Sequence, residues 1–372
     1  DFKKEVYSKA LMQLENFNYV NTIDKTLCKD FLDSKNKRFV LGRNKWAKSI
    51  LSQMKVNGVI DDFTDDSKYE GCKIYKMTDI PKDAIVVSAT MGGPKTAKDR
   101  LDKLNIKNID YFAFYKYSNL KLESPPFIDD FKEDFIKNKD SYEWVYGQLA
   151  DKKSKEVFED VINFKTTLDL RFMKDYSNDI NAQYFEDGLY EMPLKPVLVD
   201  GGGYTGDTTM IFIDKVKNFN KVYLFEPMVE NMQIAKNNLE KYANIEFINA
   251  GISNFNGDVF FNENDASSAI SESGSSKIKV CSLDSIIKQK VDFIKFDIEG
   301  AEQDGVEGAK ELITDSKPIL AICIYHKAED WHKIPKKFLD IYSDYKIYIR
   351  HYMEGVSETV TPCVRIPVRS VI

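Results

Sequence analysis

One short segment limits the fold of this chain more than any other. An apolar run at residues 197–199 leads into Asp200, three consecutive glycines at positions 201–203 and a further glycine at position 206. Glycine allows a tight turn and a close approach of the backbone to a ligand, and a helix that follows presents free N–H groups. The segment therefore predicts a strand, a glycine-rich turn and a helix, the opening unit of a ligand-binding parallel α/β sheet.

Acidic residues beside this turn bear on the class of ligand. Gly201, Gly203 and Gly206 satisfy the G-x-G-x-x-G dinucleotide fingerprint when it is read literally. Asp200 argues against a diphosphate, because a carboxylate repels phosphate and accepts hydrogen bonds from ammonium or hydroxyl groups. S-adenosylmethionine carries both of these groups. Glu226 ends the next predicted strand, where an acid can hold ribose hydroxyls, but NAD enzymes share that feature.

A second group of polar residues follows later predicted strands. Asp297 and Glu299 lie two residues apart after an apolar run, so they point the same way if the strand continues. His326 and His351 follow the next two predicted strands, at the same edge of the sheet. A carboxylate there could hold an ammonium group, orient a hydroxyl group or bind a divalent metal, and a histidine could deprotonate a hydroxyl group. We expect the catalytic residues among these four.

Short apolar runs that alternate with helical patterns place two α/β regions in the chain. In the first region, strands are predicted at residues 38–42, 58–60, 85–89 and 109–115. In the second region, they are predicted at residues 197–199, 222–225, 245–248, 292–297, 319–324, 346–350 and 360–366, with short extra strands at 257–261 and 277–280. The last two main strands are close enough to pair antiparallel.

These regions predict three parts of the chain. Residues 1–120 are expected to form a small Rossmann-like α/β domain with an N-terminal helix, and residues 121–192 a helical connector. Residues 193–372 are expected to form the cofactor-binding domain. Within it, residues 262–276 are rich in Ser, Asn and Gly and are predicted to be mobile.

Composition excludes several classes of protein. With 53 Lys and Arg against 59 Asp and Glu, the net charge of −6 excludes a globally basic nucleic-acid-binding surface and leaves a local basic patch open. The five cysteines are isolated, which argues against a zinc ribbon or a disulfide scaffold and fits a reducing compartment. Apolar runs stay far short of the roughly 18 residues that span a bilayer. We expect a cytoplasmic protein, and its oligomeric state stays open.

Several motifs in the second region together resemble the FkbM family of S-adenosylmethionine-dependent methyltransferases. The resemblance covers residues 196–367, nearly half of the chain. Its motifs are the glycine-rich turn at 199–208, Leu-Phe-Glu-Pro at 224–227, Asn-Ala-Gly-Ile-Ser at 249–253, Ser-Leu-Asp at 282–284 and Ile-Lys-Phe-Asp-Ile-Glu-Gly-Ala-Glu at 294–302. It implies the class I methyltransferase fold, a Rossmann-like seven-stranded sheet with an antiparallel last strand. It also implies methyl transfer, most often to a hydroxyl group of a sugar or natural product.

The resemblance also assigns residues to the cofactor. Asp200, Gly202 and Gly206 would line its methionine part, Glu226 would hold the ribose, and Asp297 would lie where the methyl group points. The full expected cofactor-binding set is Asp200, Gly201, Gly202, Gly203, Tyr204, Thr205, Gly206, Glu226, Pro227, Asn249, Ala250 and Asp297. Asn249 and Ala250 would meet the adenine edge. Tyr204 departs from the small residue or Asn that the family commonly has there.

The first region resembles the small Rossmann-like N-terminal domain of some sugar acyltransferases, which helps to hold a nucleotide sugar. Of a glycine-rich turn, only Gly42 remains. Asp61 could hold a ribose, and Gly92 with Gly93 could admit a phosphate. The alternative is a degenerate domain that serves packing or partner binding.

The resemblance to the FkbM family, together with these patterns, implies S-adenosylmethionine-dependent O-methylation of a sugar hydroxyl, on a nucleotide-linked sugar or a precursor of a surface polysaccharide. No metal is expected, since methyl transfer from a sulfonium needs none. Two alternatives stay open. One is a nicotinamide-dependent oxidoreductase that uses the literal dinucleotide fingerprint. The other is a non-catalytic module that keeps a cofactor pocket while the N-terminal domain recruits a partner.

Overall fold

The computed structural model describes residues 19–33, 35–261, 270–271 and 276–365. Most of the segment predicted to be mobile, residues 262–269 and 272–275, lies outside the described residues, as does the first part of the predicted N-terminal helix, residues 1–18. In the described part, no helix has both the length and the apolar character that crossing a membrane requires.

The described α-helices occur in both α/β regions and between them. They are α1 (Thr22–Leu32), α2 (Lys45–Leu51), α3 (Pro94–Lys103), α4 (Tyr111–Tyr117), α5 (Phe131–Lys137), α6 (Lys139–Gln148), α7 (Lys152–Thr167), α8 (Asp207–Val216), α9 (Val229–Asn238), α10 (Leu283–Ile286), α11 (Glu302–Glu307), α12 (Lys310–Ser316) and α13 (Asp330–Ile341).

The described strands fall into the two predicted regions. In the first they are β1 (Arg38–Leu41), β2 (Gly58–Ile60), β3 (Lys68–Tyr69), β4 (Cys72–Tyr75), β5 (Ile85–Ser88) and β6 (Lys107–Asp110). In the second they are β7 (Val197–Gly201), β8 (Lys221–Phe225), β9 (Ile245–Ile248), β10 (Gly251–Ile252), β11 (Gly257–Phe261), β12 (Ile270–Ser271), β13 (Ser276–Cys281), β14 (Phe293–Phe296), β15 (Ile319–Cys323), β16 (Tyr345–Ile347), β17 (Arg350–His351) and β18 (Thr359–Arg365).

The chain packs into two compact units. The amino-terminal unit comprises residues 1–132, 159–178 and 353–356, and the carboxy-terminal unit comprises residues 133–158, 179–352 and 357–372. Residues 121–192, predicted as one helical connector, are therefore divided between the two units. The predicted three-part division of the chain stays a prediction.

The amino-terminal unit contains a sheet in the order β3-β4-β2-β1-β5-β6, in which β3 is antiparallel to β4 and the other pairs are parallel. Strands β1, β2 and β5 are apolar and buried along nearly their whole length. Continuous burial is typical of parallel strands that are covered on both faces. The small parallel α/β domain predicted from the sequence is therefore confirmed.

One predicted strand in this unit is wrong in its second half. The run at 109–115 was expected to be extended, but β6 ends at Asp110 and α4 begins at Tyr111. The Asp110 carboxylate accepts a hydrogen bond of 3.0 Å from the Ala113 N–H, which is the N-cap arrangement that starts a helix. A short apolar run does not by itself distinguish a buried strand from a buried helix.

The main sheet of the carboxy-terminal unit has the order β16-β18-β15-β14-β7-β8-β9, and β17 adds a two-residue eighth strand beside β18. Strands β14, β7, β8 and β9 are parallel, and β18 runs antiparallel to β15 and β16. The predicted class I arrangement with an antiparallel last strand is confirmed. A separate small sheet, β10-β13-β11-β12, contains the extra strands predicted at 257–261 and 277–280.

Candidate functional site

A cavity of about 950 Å³ lies in the carboxy-terminal unit, at the carboxyl ends of the parallel strands. Its volume is in the range of small-molecule sites. Apolar residues from β8 and the small sheet line one side: Phe225, Ile252, Val259, Ile278 and Val280. Polar residues line the other side, and they follow β14 or β15, precede β18, or follow the 3-10 turn at Ile180–Ala182: Gln183, Tyr184, Asp297, Glu299, Tyr325, Lys327 and Glu358. The cavity therefore has an apolar side and an acidic, tyrosine-bearing side.

The glycine-rich turn enters this cavity at Gly202. The backbone of Gly202 is left-handed, with φ at +74°, and a Cβ built there would lie 1.8 Å from the Asp297 carbonyl oxygen. Both amides of the turn, those of Gly202 and Gly203, donate to the Phe225 carbonyl at 3.0 and 2.8 Å. The ends of β7 and β14 thus meet so closely that only glycine fits at position 202, and this close contact forms part of the cavity wall.

Asp200 is engaged inside the protein. It is fully buried, 3.1 Å from Lys295 Nζ, and it accepts a 2.7 Å hydrogen bond from the Thr209 hydroxyl. Lys295 also donates to the Gly201 and Gly202 carbonyls at 3.2 and 2.7 Å. Burial lowers the pKa of Lys295, but the charges of Asp200 and Asp297 and the hydrogen bond to Asp200 together outweigh burial and raise the pKa well above its usual range. This differs from the expectation that Asp200 lines the ligand. Because the ammonium group of Lys295 balances its charge, Asp200 no longer argues against a ligand that carries phosphate.

Glu226 lies at the predicted ribose position and lines the cavity. Its two oxygens accept the N–H groups of Tyr204 and Met228, each at 2.9 Å. Burial raises the pKa of this carboxyl group above its usual value, against the opposing effect of those two hydrogen bonds. Each carboxylate oxygen has a second lone pair, so Glu226 can hold the turn and still accept hydrogen bonds from a ligand.

The other predicted cofactor residues separate into two groups. Gly202, Tyr204, Glu226, Pro227 and Asp297 line the cavity, and Tyr204 is 57% exposed with a left-handed backbone. The remainder are not among the residues that line the cavity: Asp200, Gly201, Gly203, Thr205, Gly206, Asn249 and Ala250. The Asn249 amide donates to the Glu226 and Pro227 carbonyls at 2.8 and 3.0 Å. The neighbouring Gly251 and Ile252 line the cavity instead.

Asp297 lies at the centre of the acidic side. Its Oδ2 accepts a hydrogen bond from the Tyr184 hydroxyl at 3.0 Å, and its Oδ1 accepts one from Tyr325 at 3.1 Å. Burial raises the pKa of Asp297, but the charges of His326 and Lys295 and the two tyrosine hydrogen bonds outweigh burial and bring the pKa below its usual value. Asp297 is therefore held as a carboxylate.

His326 lies behind Asp297, outside the cavity lining, with a side chain that is 3% exposed. Its Nε2 is 3.5 Å from Asp297 Oδ1 and 3.4 Å from Glu299 Oε2, and its Nδ1 is 3.0 Å from Glu302 Oε1. Burial lowers the pKa of His326, but these carboxylates outweigh burial and raise the pKa well above its usual value. An imidazolium donates protons, so this environment disfavours the predicted role of His326 as a base.

The same cluster meets the spacing of a metal site. Ligand atoms of Asp297, Glu302 and His326 lie within 4.8 Å of one another. Glu302 Oε1, however, faces His326 Nδ1 and also accepts the Ile298 N–H at 2.9 Å. We interpret the cluster as an ion-pair network that fixes Asp297, and the absence of a metal from the reaction stays a prediction.

Two of the predicted catalytic residues have contrasting positions. Glu299 lines the cavity with a side chain that is 48% exposed and a backbone φ of +56°. His351 lies in β17, buried, with Nδ1 2.9 Å from the Thr359 hydroxyl, and it is not among the residues that line the cavity. The structure therefore brings Asp297, Glu299 and His326 together and leaves His351 in the sheet.

Sequence reasoning missed five residues of the acidic side: Gln183, Tyr184, Tyr325, Lys327 and Glu358. Gln183 and Tyr184 follow a single 3-10 turn in a segment without regular periodicity, so no pattern identified them. For Glu358, the sequence did contain a signal that could have predicted its position at the site. It precedes β18, and an antiparallel strand begins at the edge of the sheet where its parallel neighbours end.

In the amino-terminal unit, both suggested nucleotide contacts are used within the protein. Asp61 Oδ2 accepts a 2.8 Å hydrogen bond from Arg43. At the α3 N-terminus, beyond Gly93, the buried Glu354 carboxylate accepts the Thr96 N–H at 2.7 Å and also the Thr96 hydroxyl. A chain carboxylate thus occupies the position at which a phosphate would meet this helix.

Glu354 should therefore stabilise the amino-terminal unit in a pH-dependent way. Burial raises its pKa, but hydrogen bonds from Thr96 and Asn178 outweigh burial and bring the pKa below the usual value. We expect Glu354→Gln to lower the free energy of unfolding by about 1–2 kcal/mol at neutral pH. Since the folded pKa is the lower one, this contribution should disappear as the pH falls below about 4.

Urea unfolding at several pH values measures this difference. Asp99→Asn on the exposed face of α3 serves as the matched control and should change the unfolding free energy by less than about 0.5 kcal/mol. A Glu354→Gln variant as stable as the wild type at neutral pH would contradict the capping role.

The sequence profile of the methyltransferase FkbM domain family matches residues 200–346. The match covers the glycine-rich turn, Glu226 and the segment from Asp297 to Tyr325, which contribute residues to the cavity lining described above. No curated protein matches the sequence of this chain significantly.

One solved structure supports the fold. The crystal structure of methyltransferase FkbM from Methylobacillus flagellatus aligns with a TM-score of 0.76 at 22% identity, over 97% of this chain and 99% of that chain. At this identity, the likeness establishes a shared fold.

Two further solved structures align over about half of the chain. A putative rRNA-methylase from Clostridium thermocellum aligns at a TM-score of 0.31 and 12% identity, over 47% of this chain and 88% of that chain. Aeropyrum pernix fibrillarin with natively bound S-adenosyl-L-methionine aligns at 0.32 and 14%, over 49% and 73%. We draw no functional argument from TM-scores of this size. The family match and the class I sheet agree, and residues 200–346 of this chain are a methyltransferase FkbM domain.

Proposed function

We propose that the carboxy-terminal unit methylates a hydroxyl group of a sugar, with S-adenosylmethionine as the methyl donor. The observation that carries this proposal is the acidic side of the cavity. Asp297 is held there as a carboxylate by two tyrosines, and Glu358 lines the same side. Carboxylates and tyrosine hydroxyls are acceptors and donors that match sugar hydroxyls, and tyrosine rings offer apolar faces for the sugar ring.

The residues present fit the cofactor. Gly202 forms a cradle that a Cβ would fill, Glu226 can accept the ribose hydroxyls, and the apolar side can pack an adenine ring. When bound, the cofactor supplies an electrophilic methyl group on a sulfonium. The chain's own residues then position the acceptor: Asp297 would accept a hydrogen bond from the acceptor hydroxyl, and the apolar wall would exclude water.

A panel of acceptors tests this function. The protein is incubated with S-adenosylmethionine that carries a labelled methyl group and with nucleotide sugars, free sugars or amines, and the methylated atom is located by NMR. We expect an O-methyl sugar. Methylation of amines alone would overturn the hydroxyl assignment. Cofactor binding without transfer to any acceptor would favour the non-catalytic module.

A further inference from the structure

Glu358 has a conformation that the surrounding structure must impose. Its backbone φ is +60°, and its carbonyl accepts the Tyr352 N–H at 3.0 Å. Two other non-glycine residues that line the cavity, Tyr204 and Glu299, also have left-handed backbones. Such conformations cost free energy and persist where the fold over-determines them, which is frequent at ligand-binding and catalytic sites. This places Glu358 among residues that are held in position at the cavity.

The two acids on this side of the cavity have opposite environments. Asp297 accepts hydrogen bonds from two tyrosines and faces the His326 imidazole. These donors stabilise its ionised form and make it a weak base. Among the described residues, Glu358 accepts one side-chain hydrogen bond, from Gln183 Nε2. Glu358 is therefore the less stabilised carboxylate and the stronger base.

The charges around Glu358 agree with this contrast. Burial and then the charge of Asp297 raise the pKa of Glu358 to about 7, against the opposing effects of Gln183, His326 and Lys295. The neighbouring titratable groups that interact with it are Asp297, His326, Lys295, Tyr184, Tyr325 and Cys323. Environments that give two neighbouring acids different pKa values are typical of a pair with separate roles in one reaction.

Gln183 links the two acids. Its Nε2 donates to Glu358 and also to the Tyr184 hydroxyl at 3.1 Å, and Tyr184 in turn donates to Asp297. The chain of hydrogen bonds fixes the position of Glu358 relative to Asp297. Gln183 and Tyr184 are thus positioning residues.

We propose that Glu358 is the general base that accepts the proton of the methyl-accepting hydroxyl group, while Asp297 orients that group. This inference rests on the proposed function. The O–H bond of the acceptor breaks and its proton passes to a Glu358 carboxylate oxygen. The acceptor oxygen uses its electron pair to bond the methyl carbon, and the carbon–sulfur bond breaks with its electron pair left on sulfur. The protonated Glu358 then returns its proton to solvent.

Glu358→Gln tests this role, because it keeps the size of the side chain and removes the base. We expect kcat to fall by about 10²–10³-fold. The affinity for S-adenosylhomocysteine should stay within about twofold. In the wild type, kcat should rise with pH through an inflection near 7, and the variant should lose that inflection. Glu358→Asp retains a carboxyl group and should recover part of the rate together with an inflection.

The exposed residue Glu240, outside the cavity lining, supplies the matched control Glu240→Gln, which should keep the wild-type rate and pH profile. A Glu358→Gln variant that keeps more than about a third of the wild-type kcat would overturn the proposal, and so would an unchanged inflection. If kcat falls in Glu358→Gln but the inflection near pH 7 remains, the substitution acts on the rate only through the structure, and the general-base role is wrong.

A second measurement does not depend on turnover. In protein labelled with ¹³C at the glutamate carboxyl carbons and saturated with S-adenosylhomocysteine, one signal that Glu358→Gln removes should titrate near pH 7. If this signal titrates near the ordinary glutamate value of about 4.3, the proposal fails. If no acceptor is methylated at all, the proposed function fails, and the general-base role fails with it even where the titration is as expected.

Discussion

Gly202→Ala should abolish the binding of S-adenosylhomocysteine and destabilise the carboxy-terminal unit. The new Cβ would lie 1.8 Å from the Asp297 carbonyl oxygen, at a backbone φ of +74°. The obstructing atom belongs to the backbone at the end of β14, so no side chain can rotate away. We expect the affinity to fall at least about 100-fold and the free energy of unfolding by about 3 kcal/mol or more, from strain and clash together. Calorimetric titration and urea unfolding measure the two effects.

Gly188→Ala separates the clash from the backbone strain. Gly188 is in the same unit and also has a left-handed backbone, with φ at +81°, but no atom lies within 4 Å of its built Cβ. Gly188→Ala should lower the free energy of unfolding only by the cost of backbone strain, about 1–2 kcal/mol, and should keep the affinity for S-adenosylhomocysteine. If the two variants behaved alike, the close approach of the turn to Asp297 would not be what forms the site.

Lys295→Met should be the most destabilising change in the buried charges of the carboxy-terminal unit. The ammonium group lies 3.1 Å from Asp200, and both side chains are at most 3% exposed. Its removal leaves a buried carboxylate without its cation, which costs about 3–5 kcal/mol. Because the pKa of Lys295 is raised in the folded state, its contribution should persist through neutral pH and be lost only as the pH rises above about 10.

A double variant tests whether the loss comes from the pair. Asp200→Asn combined with Lys295→Met removes both charges and should recover part of the stability that Lys295→Met loses, because the remaining amide keeps a partner in Thr209. Urea unfolding gives the free energy of unfolding of the wild type, both single variants and the double variant, which together form a double-mutant cycle. A loss below about 1 kcal/mol in Lys295→Met would contradict the buried ion pair.

The parts of the fold that follow from local sequence were predictable. The apolar runs that became β7, β8, β14 and β15 are buried throughout and continuous, as strands in a covered parallel sheet are. The position of Glu226 followed from the same reasoning, since parallel strands end at one edge. Asp110 shows the limit, because a capping residue inside an apolar run changed strand into helix.

The parts of the site that depend on tertiary pairing were not predictable. The partner of Asp200 is set by the register that places it beside Lys295 on β14. A lysine inside an apolar strand was the available signal, because a buried lysine requires a counter-charge. His351 was expected at the ligand edge, but the pairing of β17 with β18 gives it Thr359 as a partner within the sheet.

Calorimetric titration with S-adenosylhomocysteine, with NADH in parallel, tests whether the cavity of the carboxy-terminal unit binds S-adenosylmethionine. We predict micromolar binding of S-adenosylhomocysteine alone, weakened at least tenfold in Glu226→Ala and unchanged in Glu240→Ala. Binding of NADH without S-adenosylhomocysteine would contradict S-adenosylmethionine as the cofactor, and S-adenosylhomocysteine binding that Glu226→Ala leaves intact would contradict the ribose contact of Glu226.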